Sequence, residues 1–128
     1  MAQPRTPLLG AADRRALARN VPDWRVRGKR LVREWTLEDF DQAMALVDAV
    51  AGLAQRADHH PDLHLTGYRH VRIELSSYDA GGLTERDFGL AADISQLPEA
   101  AVAAGRGRDK GRKRPKARRA VALSRPAR

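Results

Sequence analysis

Between positions 8 and 97 the apolar residues of this chain change period several times, and each change marks an element. Ala11 to Asn20 reads as a short helix with Leu17 at its centre and Leu8 and Leu9 near its start. Pro22 ends it, because a proline disfavours helical backbone at the preceding residue. Trp24 to Val26 and Leu31 to Trp35 read as short strands, with Gly28 and Lys29 as the hairpin turn between them. Thr36 is the expected start of a long helix, with Asp39 three residues on completing a capping box. Phe40, Ala43, Met44, Val47, Val50, Ala51 and Ala54 then recur at the spacing of one helical face, which should bury against a sheet.

That helix runs out near Ala57. An extended piece over Leu63 to Thr66, a turn at Gly67 and a strand follow. In the strand Val71, Ile73 and Leu75 alternate with Arg72, Glu74 and Ser76, the period of a sheet covered on one side. Residues 77–82 break it. Thr84 and Asp87 form a second capping box and open a helix through Ile94, with Phe88, Leu90, Ala91 and Ile94 as its apolar side. Pro98 closes the ordered region. Consecutive strands on short connections imply an antiparallel sheet with helices on one face: a two-layer α+β fold in the order α-β-β-α-β-β-α with four strands.

Charge changes this picture at one end only. The 128 residues hold 24 basic and 16 acidic side chains, a formal charge of +8. Residues 99–128 account for the excess, with 11 Lys/Arg against two acids. The chain therefore divides into a near-neutral domain over 1–98 and a basic tail over 99–128. From Arg106 to Arg119 the only apolar side chain is Ala117, too little burial to offset the entropy of ordering, so the tail is expected to be disordered. It could neutralise nucleic-acid phosphates in a weak, salt-dependent way, but it has no aromatic residue among these positions to stack on bases. A solvated, non-specific cationic extension is the favoured reading.

Cysteine is absent, which excludes disulfides, thiolate catalysis and cysteine-based zinc sites. The N-terminal residues lack the apolar run of a signal peptide, and no stretch approaches the roughly 20 apolar residues that cross a bilayer. A cytoplasmic protein with no membrane association is expected.

Candidate chemistry concentrates at Asp58-His59-His60-Pro61. Histidine can give or take a proton at neutral pH. Two imidazoles on a turn can reach one pocket from different angles, one protonating a leaving group while the other accepts a proton. The competing reading is a helix-terminal pair facing the negative end of the helix dipole. A metal site using His64 as a third imidazole, with Asp58 and Asp62 nearby, is a further alternative, although no zinc-binding helical His pair is present.

The run Ala57-Asp58-His59-His60-Pro61-Asp62, followed by Ser77-x-Asp79-x-Gly81-Gly82-Leu83-Thr84-x-x-Asp87, resembles the pterin-4a-carbinolamine dehydratases. Trp24 in the hairpin and Trp35-Thr36-Leu37-x-Asp39-Phe40 before the long helix fit the same family, and the resemblance covers about residues 8–97. It implies a hydro-lyase that removes water from 4a-hydroxytetrahydropterin to give quinonoid dihydropterin, in the recycling of tetrahydrobiopterin, without a metal or other cofactor. It implies His59 and His60 as the proton-transferring pair, and homodimers or homotetramers. Trp24 is either a wall of the pterin pocket or a core residue. Asp79 either holds donor groups of the pterin or a histidine, or caps its turn. Three departures stand out. Tyr78 occupies the place of the family's third active-site histidine, and a phenol with a pKa near 10 does not shuttle protons at pH 7, though it can donate a hydrogen bond. Gln55 stands where many members carry glutamate. Gly67 marks a one-residue insertion between Pro61 and Tyr68. A catalytically impaired member serving as a dimerisation or regulatory module is the alternative function.

Overall fold

The computed structural model describes residues 6–98. The basic tail therefore lies outside the described residues. Within them the chain runs α1 (Ala11–Ala18), β1 (Arg25–Arg27), β2 (Arg30–Thr36), α2 (Phe40–Ala57), β3 (Asp62–Thr66), β4 (His70–Leu75), a single 3-10 turn (Tyr78–Ala80) and α3 (Glu85–Ser95). The four strands form one antiparallel sheet in the order β1-β2-β4-β3. The expected α+β architecture is the one observed.

Register explains why only one face of the sheet is covered. Leu31 pairs with Leu75 and Trp35 with Val71. Leu31, Val71, Ile73 and Leu75 thus share a face, and all four are buried with Leu46 and Val50 of α2 and Phe88, Leu90 and Ile94 of α3. The opposite face carries Arg30, Arg72, Glu74, Asp62 and His64. Arg33 is an exception, a cation on the core-side face. Its guanidinium lies 4.4 Å from the centre of the Trp35 ring, and burial lowers its pKa against the opposing pull of Asp23 3.7 Å away.

Three expectations need correction. The long helix starts at Phe40, not Thr36: Asp39 is the N-cap and accepts from Gln42 N at 2.8 Å, while Gln42 Oε1 accepts from Glu38 N at 2.7 Å. Thr36 ends β2, opposite His70. Sheet pairing takes Thr36 because the next acceptor along, Asp39, serves the helix equally well. The apolar face of α2 also sits differently. Gln42, Ala43, Leu46, Val50 and Ala54 are its buried residues, whereas Phe40 is 51% and Met44 37% exposed. Ala51, expected in the core, is exposed as well. The helix carries two apolar stripes, and the sheet covers the one containing Leu46. Trp24 lies just before β1 rather than within it. No helix among the described residues is long and apolar enough to cross a membrane.

Candidate functional site

The end of α2 decides where the two adjacent imidazoles go. Asp58 adopts left-handed backbone at φ 54° and stops the helix. Its amide donates to Gln55 O at 3.2 Å, and the His59 amide donates to Ala54 O at 3.1 Å, the paired bonds of a Schellman ending. This reversal turns His59 back beneath the helix. Pro61 holds His60 out of helical backbone, and the chain leaves into β3.

The neighbouring rings consequently meet different surroundings. His59 is 7% exposed, and its Nε2 lies 2.6 Å from Oδ1 of Asp87. His60 is exposed, with Nε2 3.0 Å from Gln55 Oε1. Gln55 thus holds His60 through a neutral amide.

Asp87 is fully buried and organises the inner half of the site. Its Oδ2 accepts from the Thr84 amide at 2.9 Å and from Ser77 Oγ at 2.8 Å. Ser77 Oγ is also 2.8 Å from Thr84 Oγ1, which accepts from the Arg86 amide at 3.2 Å. Three segments meet here: the end of α2, the exit from β4 and the start of α3. Ser77 reaches the cluster because its amide donates to Gly82 O at 3.1 Å, closing the loop over the 3-10 turn, and Gly81 takes the left-handed conformation (φ 82°) that the closure requires. The Thr84/Asp87 capping box is present as expected. Its second use, orienting a histidine 28 positions away, was not read from the sequence. The available signal was an acid in a capping box whose helix follows directly on a Ser-containing loop.

Tyr78 leaves the same loop toward the other side of the sheet. It is 68% exposed, and its hydroxyl donates to Asp62 Oδ2 at 3.2 Å. The same Asp62 oxygen accepts from Arg30 at 3.2 Å, and Arg30 also donates to Glu74 Oε1 at 2.5 Å. Arg72 donates to the other Glu74 oxygen at 2.8 Å. Burial pushes the Glu74 carboxyl up, but the hydrogen bonds from Arg72 and Arg30 outweigh it and leave the group below its ordinary value. The bond to Glu74 in turn raises the pKa of Arg30.

The other expected residues separate. Asp79 lies inside the 3-10 turn beside Tyr78. Trp24 is a core residue, packed edge-on against Trp35 with ring centres 6.0 Å apart and donating from Nε1 to Ser95 Oγ at 3.0 Å. Ser95 ends α3 and Asp87 lies near its start, so the two contacts are about 12 Å apart along the helix at 1.5 Å per residue. The structure therefore brings His59, His60 and the Tyr78 loop to one end of the molecule and leaves Trp24 toward the other. His64 sits on the open sheet face with Nε2 3.8 Å from Glu74, and its Nε2 is buried without a hydrogen-bond partner. Among the described residues no three His, Cys, Asp or Glu side chains are grouped to hold a metal ion.

Comparison with known proteins places these features in one group. Residues 7–97 match the family described as pterin 4 alpha carbinolamine dehydratase. A relative from Chloroflexus aurantiacus, provisionally named a pterin-4-alpha-carbinolamine dehydratase, is 43% identical over 91 residues, covering 71% of this chain and 97% of its own. One from Nocardia farcinica with the same provisional name is 42% identical over 92 residues, covering 72% and 96%. The crystal structure of a transcriptional coactivator/pterin dehydratase from Brucella melitensis superimposes with a TM-score of 0.63 at 26% identity, covering 68% of this chain and 94% of that one.

Proposed function

This chain belongs to the pterin 4 alpha carbinolamine dehydratase family, and from that membership we propose that it removes water from a 4a-hydroxytetrahydropterin to give quinonoid dihydropterin, returning a tetrahydrobiopterin-type cofactor to use. The observation that supports the reading is the divergent pair at the end of α2. One imidazole is buried and oriented by a carboxylate, and the next in sequence is exposed on an amide. Elimination needs two proton transfers at separate atoms. The C4a–O bond breaks with its electron pair going to oxygen, which takes a proton and leaves as water. A ring nitrogen loses a proton, and its freed pair forms the new C=N bond. Two imidazoles held in different orientations suit that division, each capable of proton transfer at neutral pH. The reading requires no metal or organic cofactor.

Tyr78 and Asp79 belong to the same proposed site through the loop that Ser77 anchors. Tyr78 stands where the family has an imidazole, and its hydroxyl has to leave Asp62 before it can donate to the pterin; Asp79 offers a carboxylate for the donor groups of the pterin. Trp24 has its Nε1–H committed to Ser95, which supports the core reading over the pocket-wall reading.

The direct test measures water loss from 4a-hydroxytetrahydropterin with purified protein against buffer. The expected result is acceleration that the double change His59→Ala/His60→Ala abolishes, with a higher rate for Tyr78→His. A rate equal to buffer would reject the enzyme reading.

A second reading, in which the fold serves as a dimerisation or regulatory module, draws support from the uncovered stripe of α2, where Phe40 and Met44 are exposed. It predicts homodimers or homotetramers without turnover in the same assay. The basic tail, proposed as a weak non-specific binder of nucleic acid, is not needed for either reading. A cytoplasmic location is part of the proposal.

A further inference from the structure

We infer that Asp87 is a positioning residue that makes His59 the proton acceptor of the pair, by fixing its ring in the Nε2–H form and leaving Nδ1 for the substrate. The inference rests on the dehydratase reading for its catalytic half and on geometry alone for its structural half.

Valence orders the buried cluster. Asp87 Oδ2 has two donors, the Thr84 amide at 2.9 Å and Ser77 Oγ at 2.8 Å. Ser77 owns one hydroxyl proton and spends it on Asp87, so its second bond, 2.8 Å to Thr84 Oγ1, must be one it accepts. Thr84 Oγ1 therefore donates to Ser77 and uses a lone pair for the Arg86 amide at 3.2 Å. Every hydroxyl proton is then assigned, and Oδ1 of Asp87 faces only His59 Nε2, at 2.6 Å. Between a carboxylate and an imidazole the ring is the stronger base, so the shared proton sits on Nε2. A neutral ring with hydrogen on Nε2 has its lone pair on Nδ1. His59 thus enters the reaction as an acceptor, and Asp87 stabilises the imidazolium that forms, as a buried carboxylate does for the histidine of a Ser-His-Asp triad. The proton for the departing hydroxyl falls to His60, the exposed partner on Gln55.

Asp87→Asn tests this sharply because it is nearly isosteric. The two donors at the Oδ2 position need an acceptor, so the asparagine oxygen goes there and its amide group faces His59. An amide N–H can only donate, which forces Nε2 to accept and moves the ring proton to Nδ1. Histidine ring-nitrogen NMR on the folded proteins should show the Nε2–H form for wild type and the Nδ1–H form for Asp87→Asn. The rate kcat should fall on the order of 10²–10⁴-fold with KM changed much less. Wild-type protein with the proton on Nδ1 overturns the inference without any variant, and so does Asp87→Asn turning over at the wild-type rate. An inactive wild type with an Nε2–H His59 would sink the dehydratase reading and the acceptor role together. Asp87 would then stand as a positioning residue for the ring only. The two failures are therefore distinguishable.

Discussion

Two polar networks flank the sheet, and they use the same kinds of group to different ends. On the helix side, Asp87 joins His59, Ser77 and the Thr84 amide with side chains that are buried. On the open face, Arg30 links Asp62 and Glu74, Arg72 reaches Glu74, and Tyr78 reaches Asp62, with Arg30, Asp62 and Arg72 half-exposed around a more buried Glu74. In the first network water cannot replace a lost partner, so each bond is costly to leave unmade. In the second, solvent and salt screen the charges and stand ready to substitute. The inner network therefore fixes geometry, while the outer one tolerates change. That contrast accounts for a tyrosine at position 78: the loop keeps its fold through Ser77 and Gly82, and the side chain between them is free to differ.

Substitutions should separate the two sides in order of size. Asp87→Ala should have the largest effect, about 3–5 kcal/mol of lost stability in urea denaturation, because hydrogen bonds to a charged group contribute about 1.5–3 kcal/mol each and several buried donors lose their acceptor together. It strands Ser77, the Thr84 amide and His59 at once. A loss below 1 kcal/mol would mean that water reaches the cluster and that the contrast is false. Thr84→Ala comes next, at about 1–2 kcal/mol, because it removes a helix cap but leaves Asp87 in place. That loss should persist in 1 M salt, since no net charge is removed. Glu74→Gln should cost least, about 1 kcal/mol or less, and the difference should shrink in 1 M salt.

The pH dependence of that last variant has a definite sign. The Glu74 carboxyl is held below its ordinary value in the folded protein. Its contribution is therefore present above the unfolded carboxylate pKa and lost as pH falls through the lower folded one. Wild type and Glu74→Gln should differ in stability at pH 7 and converge in strong acid. A difference that grew on acidification would show that the ion pairs with Arg30 and Arg72 are not what the carboxyl feels.

The sequence by itself determined most of the element order. Alternation at Val71, Ile73 and Leu75, the turns at Gly28 and Gly67, and the Thr84/Asp87 cap are local signals, carried by residues within a few positions of one another, and all appear in the structure. The paired histidines were legible as candidate chemistry for the same reason. What the chain could not show locally was which of two apolar stripes on α2 would meet the sheet, so Phe40 and Met44 were expected inside and are found exposed. Nor could it show that Asp87 serves two masters, a helix end three residues away and an imidazole 28 residues away. The different surroundings of His59 and His60 have the same origin. Adjacent residues have nearly identical local sequence, and only the docking of α3 against the end of α2 puts a carboxylate beside one ring and not the other.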